Sequence, residues 1–300
     1  MGLFDRKVKE IELREEESVN LAKATSDKAV DVIKELSGKR LAKERLVIDN
    51  IIVFSNASGG TGTSTLLSNV AYEATRRGQK VLIIDLNIMY PTQHTYLNIQ
   101  QQLEKPDLVG YLLGKDSLSD AIDTTNEINI MFANNRTLAD DINCNDKVPI
   151  ENFKELCSKV RQFYDLVLID CPNRIDNMLS NTAFYLADAI YLVWDEGIGS
   201  IINTDKMRRN MAFSGIDSFT KMRVIMNKRT SIRYSDYPFK KMNLELVEVL
   251  PFDPDIIDNS LRGQIFCDKG ASKAKNAVEF AIKCGELTNS ILKIAGLISE

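Results

Sequence analysis

The chain has 300 residues, 44% of them hydrophobic, and its 38 basic and 42 acidic side chains give a formal net charge of −4. This length and apolar content suit one large core, and the acidic balance argues against a dedicated nucleic-acid-binding protein. No apolar run reaches the roughly 18 residues that cross a bilayer, and the N-terminus lacks a signal-peptide core, so we expect a cytoplasmic protein. The five cysteines include no C-x-x-C pair, which favours packed thiols over an iron–sulfur site.

Residues 1–46 differ in character from the rest of the chain. Residues 1–49 contain eleven basic and eleven acidic side chains and no proline. A partial apolar stripe at helical spacing predicts a charged helical extension. Such a segment packs on its own domain or forms a loosely ordered arm, or else it docks on a partner, and the sequence favours the first two over docking.

A glycine-rich segment, ASGGTGTST at Ala57–Thr65, follows an apolar strand predicted at Ile51–Phe54. Helical spacing of apolar residues begins near Thr63. At such a turn, backbone N–H groups and the positive end of the helix can bind an anion, and Ser64 can offer its hydroxyl to Mg²⁺. On spacing alone, a simple connecting turn is an equal alternative.

Five further buried strands follow in the order of an α/β protein. They are predicted at Lys80–Asp85, Tyr164–Pro172, Ala189–Trp194, Arg223–Met226 and Leu246–Leu250. The helical patterns between them have the spacing of βαβ crossovers, so we expect a doubly wound, mostly parallel sheet flanked by helices. Asp85 and Asp170 end two of these strands, and such strand ends share one ligand crevice.

These motifs resemble the ParA/MinD family of deviant P-loop ATPases. SGGTGTS at Ser58–Ser64 matches a loop of the type K-G-G-x-G-K-[ST], while KVLIIDLN and YDLVLIDCP are similar to the family's two acidic strand ends. VIMNK resembles the strand whose asparagine, here Asn227, recognises adenine, and LPFDPDIIDNSLRGQ from Leu250 resembles a further family segment. The likeness spans about residues 47 to 295 in family order, so 47–300 is the predicted nucleotide-binding domain.

The resemblance implies ATP or ADP and Mg²⁺ as cofactors and assigns residues to both. The implied nucleotide-binding residues are Ser58, Gly59, Gly60, Thr61, Gly62, Thr63, Ser64, Thr65, Asn227, Pro251 and Asp253. The implied metal-binding residues are Ser64, Asp85 and Asp170.

The departures from the family pattern fall on charged groups. The resemblance places the signature lysine, which reaches the partner's nucleotide in a dimer, at Ser58, and the P-loop lysine at Thr63. Asn87 stands where the family has a second acidic residue, thought to orient the attacking water. Each lost charge-assisted hydrogen bond removes about 1.5 to 3 kcal/mol, so we expect loose nucleotide binding and little or no hydrolysis. Arg174 either restores a charge or is an ordinary surface arginine, and the sequence favours the latter.

Three other features bear on partners and surfaces. Residues 203–241 hold ten basic and three acidic side chains, a segment that binds DNA, contacts an anionic membrane, or forms a solvated face, which we favour. The amphipathic segment Ala274–Ile298 lacks the cations of a membrane-targeting helix, so we expect it to pack on the core and membrane contact to be at most peripheral. His94 is expected on the surface.

Three functions follow from these expectations. The first is a dimeric spatial organiser, similar to TadZ/CpaE relatives, that recruits a pilus, secretion or conjugation machine without rapid ATP cycling. The second is an active partition ATPase that binds DNA, and the third is a nucleotide-free scaffold. The neutral residues Ser58, Thr63 and Asn87 disfavour the second. The retained glycines, Asp85, Asp170 and Asn227 disfavour the third.

Overall fold

The computed structural model describes residues 49–100, 105–134, 137–138, 140–173, 177–230, 237–268 and 274–299. All of them belong to a unit that runs from Ile48 to Glu300. The predicted helix in residues 1–46 and the candidate cation Arg174 lie outside the described residues. The proposed domain boundary at residue 47 therefore stays a prediction.

A parallel sheet of seven strands lies at the centre of this unit. The strands are β1 Ile51–Asn56, β2 Val81–Asp85, β3 Asn129–Met131, β4 Leu166–Asp170, β5 Ala189–Trp194, β6 Met222–Arg229 and β7 Glu245–Pro251. Their order is β3-β2-β4-β1-β5-β6-β7, and neighbouring strands pair in parallel. This confirms the predicted doubly wound sheet. The sequence did not predict β3, which has only three residues.

Helices cover both faces of the sheet. They are α1 Thr63–Arg76, α2 Gln93–Tyr96, α3 Leu108–Leu112, α4 Leu118–Ala121, α5 Lys147–Phe163, α6 Met178–Leu186, α7 Ile198–Phe213, α8 Ser218–Lys221, α9 Tyr237–Met242, α10 Pro254–Leu261 and α11 Lys275–Ile294. One hydrophobic cluster includes Phe153 of α5, and a second includes Leu67 of α1 and Phe280 of α11. Because both faces are buried, the strands are nearly continuous apolar runs.

The C-terminal helix α11 packs on the core, as its amphipathic pattern predicts. Ala277, Leu287 and Ile291 are each at most 1% exposed. Val278 and Ile282, which belong to the predicted apolar stripe, are 43% and 58% exposed instead. The buried positions recur at helical spacing from Ala277, and these two residues lie beside that row rather than on it.

The expectation that His94 lies on the surface is wrong. His94 belongs to α2 and is 8% exposed, and its ring stacks on Phe132 with centroids 5.0 Å apart. Burial lowers the pKa of this imidazole because the charged form would lose its hydration. The thiols of Cys157, Cys171 and Cys284 are buried as expected, and burial raises the pKa of Cys157 to about 12.

Candidate nucleotide-binding site

The loop between β1 and α1 has the backbone geometry of an anion cradle. Gly60 and Gly62 have φ angles of +80° and +85°, in the left-handed region that favours glycine. The helix begins at Thr63, as predicted, so the N–H groups of its first turn, which have no partner within the helix, lie next to the loop. Gly62 is also required by space, since a Cβ there would lie 2.7 Å from Asn227 Nδ2.

Thr63, at the family's P-loop lysine position, turns its hydroxyl into the structure. Asn56 Nδ2 donates a hydrogen bond to Thr63 Oγ1 at 3.3 Å, and Thr61 Oγ1 lies 3.1 Å from the same oxygen. Thr63 is only 4% exposed. The side chain at this position therefore supports the shape of the loop from inside and presents no positive charge to a ligand.

Ser58, at the signature lysine position, lies against helix α7. Asn203 of α7 donates from Nδ2 to the carbonyl oxygen of Ala57 at 2.9 Å. A Cβ on Gly199, in the first turn of α7, would be 3.0 Å from Ser58 Oγ. The short serine thus sits in the seam between the loop and α7, where it is half-buried.

Two carboxylates stand side by side at the ends of neighbouring strands. Asp85 of β2 and Asp170 of β4 are partners in the strand register, and they are 0% and 5% exposed. Burial, followed by the charge of Asp170, raises the pKa of Asp85 to about 7. Burial also raises the pKa of Asp170, although hydrogen bonds from Ser64 and Gln93 oppose the rise.

Asp85 anchors the segment that follows β2. Its two carboxylate oxygens accept hydrogen bonds from the backbone N–H groups of Asn87, Thr92 and Gln93, at 2.9 to 3.0 Å. These bonds favour the ionised form and partly offset burial. Asn87 therefore takes part in the site through its backbone, while its side chain is a neutral amide where the resemblance implies an acid.

Gln93 is a site residue that the sequence did not reveal. Its Nε2 donates to Asp170 Oδ2 at 2.6 Å and to the carbonyl oxygen of Ser64 at 3.1 Å, while its Oε1 accepts from Ser68 Oγ at 2.8 Å. The side chain is fully buried. Gln93 thereby ties helix α1 to the end of β4. Its short helix matches none of the family segments, so no sequence signal marked it.

The end of β6 reaches across to the loop. Asn227 Nδ2 donates to the carbonyl oxygen of Thr61 at 2.8 Å, and Lys228 Nζ donates to that of Gly60 at 2.6 Å. The sequence marked Asn227 as a contact for adenine and counted Lys228 only within a basic segment. Their adjacency in VIMNK was the one available signal that Lys228 belongs to the site.

A cavity of about 530 Å³ joins these elements. Nine of the predicted nucleotide-binding residues line it, namely Gly60, Thr61, Gly62, Thr63, Ser64, Thr65, Asn227, Pro251 and Asp253. Ser58 and Gly59 do not. The opposite wall is largely apolar, with Phe252, Ile256 and Leu261 among its residues. A cavity of this size and mixed lining suits a small organic ligand with an anionic end.

The donor set near the loop fits Mg²⁺. Ser64 hydroxyl and the Asp170 carboxylate are hydrogen-bonded to each other, and both are oxygen ligands of the kind that Mg²⁺ prefers. Within the described ranges, no group of three or more His, Cys, Asp or Glu side chains could hold a metal ion. Mg²⁺ usually binds through one or two carboxylates together with phosphate oxygens and water, so this sparse set is suitable.

Part of the positive charge of the basic segment 203–241 is paired with carboxylates where the segment is described. Arg209, Arg223 and Arg229 form ion pairs with Asp205, Glu245 and Glu279. Lys221 Nζ donates to a backbone carbonyl at 3.0 Å, Arg208 is 9% exposed, and Arg233 lies outside the described residues. These pairs reduce the positive charge that the segment can offer to phosphate, which agrees better with a solvated face than with a DNA surface. No described helix is long and apolar enough to cross a membrane.

Comparisons with known proteins agree with this geometry. A family model described as an AAA domain matches residues 49–209, more than half of the chain. An uncharacterized ATP-binding protein of Methanocaldococcus jannaschii is 28% identical over 166 residues, 53% of this chain and 60% of the relative. Tyrosine-protein kinase YwqD of Bacillus subtilis is 25% identical over 63% of this chain and 76% of its own. The septum site-determining protein MinD of Thermotoga maritima is 23% identical, covering 71% of this chain and 79% of the relative.

Solved structures show the same fold. MinD of Pyrococcus horikoshii OT3, complexed with Mg-ADP, has a TM-score of 0.68 at 23% identity and covers 84% of this chain and 99% of that one. A ParA family ATPase of Chlorobium tepidum TLS has a TM-score of 0.66 at 17% identity, covering 80% and 98%. The chain therefore belongs to the ParA/MinD family of P-loop ATPases, as its motifs predict.

Proposed function

We propose that this protein holds ATP or ADP with Mg²⁺, hydrolyses it slowly or not at all, and acts as a dimeric spatial organiser. In this role it marks a site or recruits a localised machine, with pilus, secretion and conjugation systems as the expected class. The observation that supports the proposal most strongly is that the loop keeps its anion-binding backbone but has no lysine. The left-handed glycines and the helix N-terminus are present, while Thr63 buries a neutral hydroxyl in place of a lysine.

Binding and turnover depend on different parts of such a site. Loop N–H groups, the Ser64 hydroxyl and Asp170 need no lysine to hold phosphate and Mg²⁺. Hydrolysis needs charge placed against the developing γ-phosphate charge and a group that orients water, and the family positions for these are Thr63, Ser58 and Asn87. The site is therefore suited to occupancy more than to cleavage.

The two alternatives find less support. An active partition ATPase that binds DNA would use an open basic surface, whereas Arg209, Arg223 and Arg229 are paired with carboxylates. A nucleotide-free scaffold has no use for a cavity of about 530 Å³ beside an intact glycine loop. Exposed Ile198 and Ile202 on α7, the helix that contacts the loop, support dimer formation near this face.

The test measures affinity, turnover and oligomeric state together. We expect the wild type to bind Mg-ATP with little phosphate release. Its oligomeric state is measured with and without ATP. The double variant Thr63→Lys/Asn87→Asp restores the P-loop cation and the acidic residue, so phosphate release should rise at least about tenfold.

Thr124→Lys is the control for the added lysine. Thr124 is exposed and precedes the edge strand β3, which β2 and β4 separate from β1, so this variant adds a lysine away from the loop. Turnover by the wild type at or above that of the restored variant would contradict a degraded site. Absence of Mg-ATP binding by the wild type would support the scaffold instead.

A further inference from the structure

Lys228 brings a cation to the phosphate-binding loop from a different strand. Its Nζ donates to the carbonyl oxygen of Gly60 at 2.6 Å. Gly60 is in the middle of the loop, and both residues line the same cavity as Ser64. The ammonium group therefore lies at the loop, on the same cavity as the loop residues that would hold an anionic ligand.

The backbone at Lys228 is shaped for this contact. Its φ angle is +55°, in the left-handed region that side-chain-bearing residues rarely adopt, and the register between β6 and β7 shifts between Met226 and Arg229. In a regular strand, Asn227 and Lys228 would point to opposite faces. Here both side chains donate to the loop. Strained backbone of this kind is concentrated at functional sites.

The charge of Lys228 is not used elsewhere. Its contact on the loop is a neutral carbonyl, and no carboxylate of the described residues forms an ion pair with it. Among the described residues that line the cavity, it is the one lysine or arginine. An ammonium without a counter-ion, placed beside free N–H groups, is complementary to a phosphate oxygen.

We propose that Lys228 supplies the phosphate-binding cation that position Thr63 lacks. When a nucleoside di- or triphosphate binds, the Lys228 ammonium exchanges the carbonyl oxygen of Gly60 for a phosphate oxygen. This inference rests on the proposed function, because it requires that the loop binds a nucleotide. In this arrangement the cation lies at the end of β6. The consecutive residues Asn227 and Lys228 then contact the base and the phosphate, respectively.

The first test compares Lys228→Gln with wild type for Mg-ATP, Mg-ADP and adenosine. Affinity for both phosphate-bearing ligands should fall about 10- to 100-fold, the loss expected for one charge-assisted hydrogen bond. Adenosine, which has no phosphate, should bind both proteins alike. Lys206→Gln is the matched control, since Lys206 is an exposed lysine of α7 and its loss should change none of the three affinities.

A second test moves the cation back to the family position. Thr63→Lys should restore Mg-ADP affinity in the Lys228→Gln background and add much less to the wild type, because one cation already serves the phosphate. Equal affinities of wild type and Lys228→Gln overturn the inference while the proposed function stands. Equal losses of affinity for adenosine and Mg-ADP, with a lowered melting temperature, also overturn it. They would show that Lys228 only stabilises the loop. A wild type that binds no Mg-ATP overturns the proposed function itself.

Discussion

The metal side and the phosphate side of the candidate site differ in the charge of their side chains. On the metal side, Asp85 and Asp170 are buried carboxylates beside Ser64. On the phosphate side, Ser58 and Thr63 are neutral hydroxyls. The carboxylates also hold the fold, because Asp85 binds three backbone N–H groups and Asp170 accepts from Gln93. Removing either carboxylate would leave buried donors without an acceptor, which costs stability as well as chemistry.

The largest loss of nucleotide affinity is expected from a substitution at Gly62, where the loop contacts β6. Gly62→Ala forces an alanine to φ +85° and places its Cβ 2.7 Å from Asn227 Nδ2 and 3.3 Å from Lys228 Cε. Backbone strain of about 1 to 3 kcal/mol and displacement of both donors should lower Mg-ADP affinity about a hundredfold. Titration calorimetry would measure this loss.

Gly78→Ala is the control for backbone strain alone. Gly78 has a φ of +79°, and nothing lies within 4 Å of its Cβ position. It follows the end of α1, so the variant should lose a similar amount of stability and keep its nucleotide affinity. If Gly62→Ala binds Mg-ADP as well as Gly78→Ala does, the loop and β6 do not form one binding unit.

The next largest change in nucleotide affinity is expected at Asp170. It distinguishes a residue that binds Mg²⁺ from one that binds the phosphates. Asp170→Asn keeps the shape of the side chain and removes its charge, so the gain in ADP affinity that Mg²⁺ provides should shrink by about tenfold or more. In EDTA, the variant should bind ADP at least as well as the wild type, because a negative charge near the phosphates is gone. Asp165→Asn, just before the start of the same strand, is the control.

A loss of ADP affinity in Asp170→Asn that is equal with Mg²⁺ and with EDTA would show that Asp170 acts through the fold and not through a metal ion. The melting temperature of the variant, measured beside its affinity, distinguishes the two cases. A variant that melts as the wild type does and has lost only the Mg²⁺-dependent part of its affinity confirms Asp170 as a metal ligand.

The sequence predicted the strands of this molecule better than the side-chain contacts between distant elements. Strand β5 was predicted with the observed bounds, since its six residues are all buried and form an unbroken apolar run. Strand β3 has three residues, too few for a periodic signal. Lys228 and Gly60 are 168 positions apart, and Gln93 and Asp170 are 77 apart. Such contacts depend on packing between distant elements, which local pattern does not encode.

The last prediction is a pH dependence of thermal stability that comes from Asp85. Burial raises its pKa from 3.8 to about 7 in the nucleotide-free protein. The native state therefore keeps a proton that the unfolded chain loses near pH 4. The stabilisation from that proton is complete below about pH 4 and is lost as the pH rises through about 7. Thermal melts in EDTA should show the melting temperature falling from pH 5.5 to pH 8.

Nucleotide affinity should change in the opposite direction. A bound Mg²⁺ favours the ionised carboxylates, so between pH 6 and pH 8 the affinity for Mg-ADP should rise by about tenfold, the change in the ionised fraction of a group with a pKa near 7. Asp85→Asn removes the titrating group and should flatten both profiles while keeping an acceptor for the backbone N–H groups. If affinity and stability instead rise together with pH in the wild type, Asp85 is ionised before the nucleotide arrives, and the metal side is preformed rather than completed by the ligand.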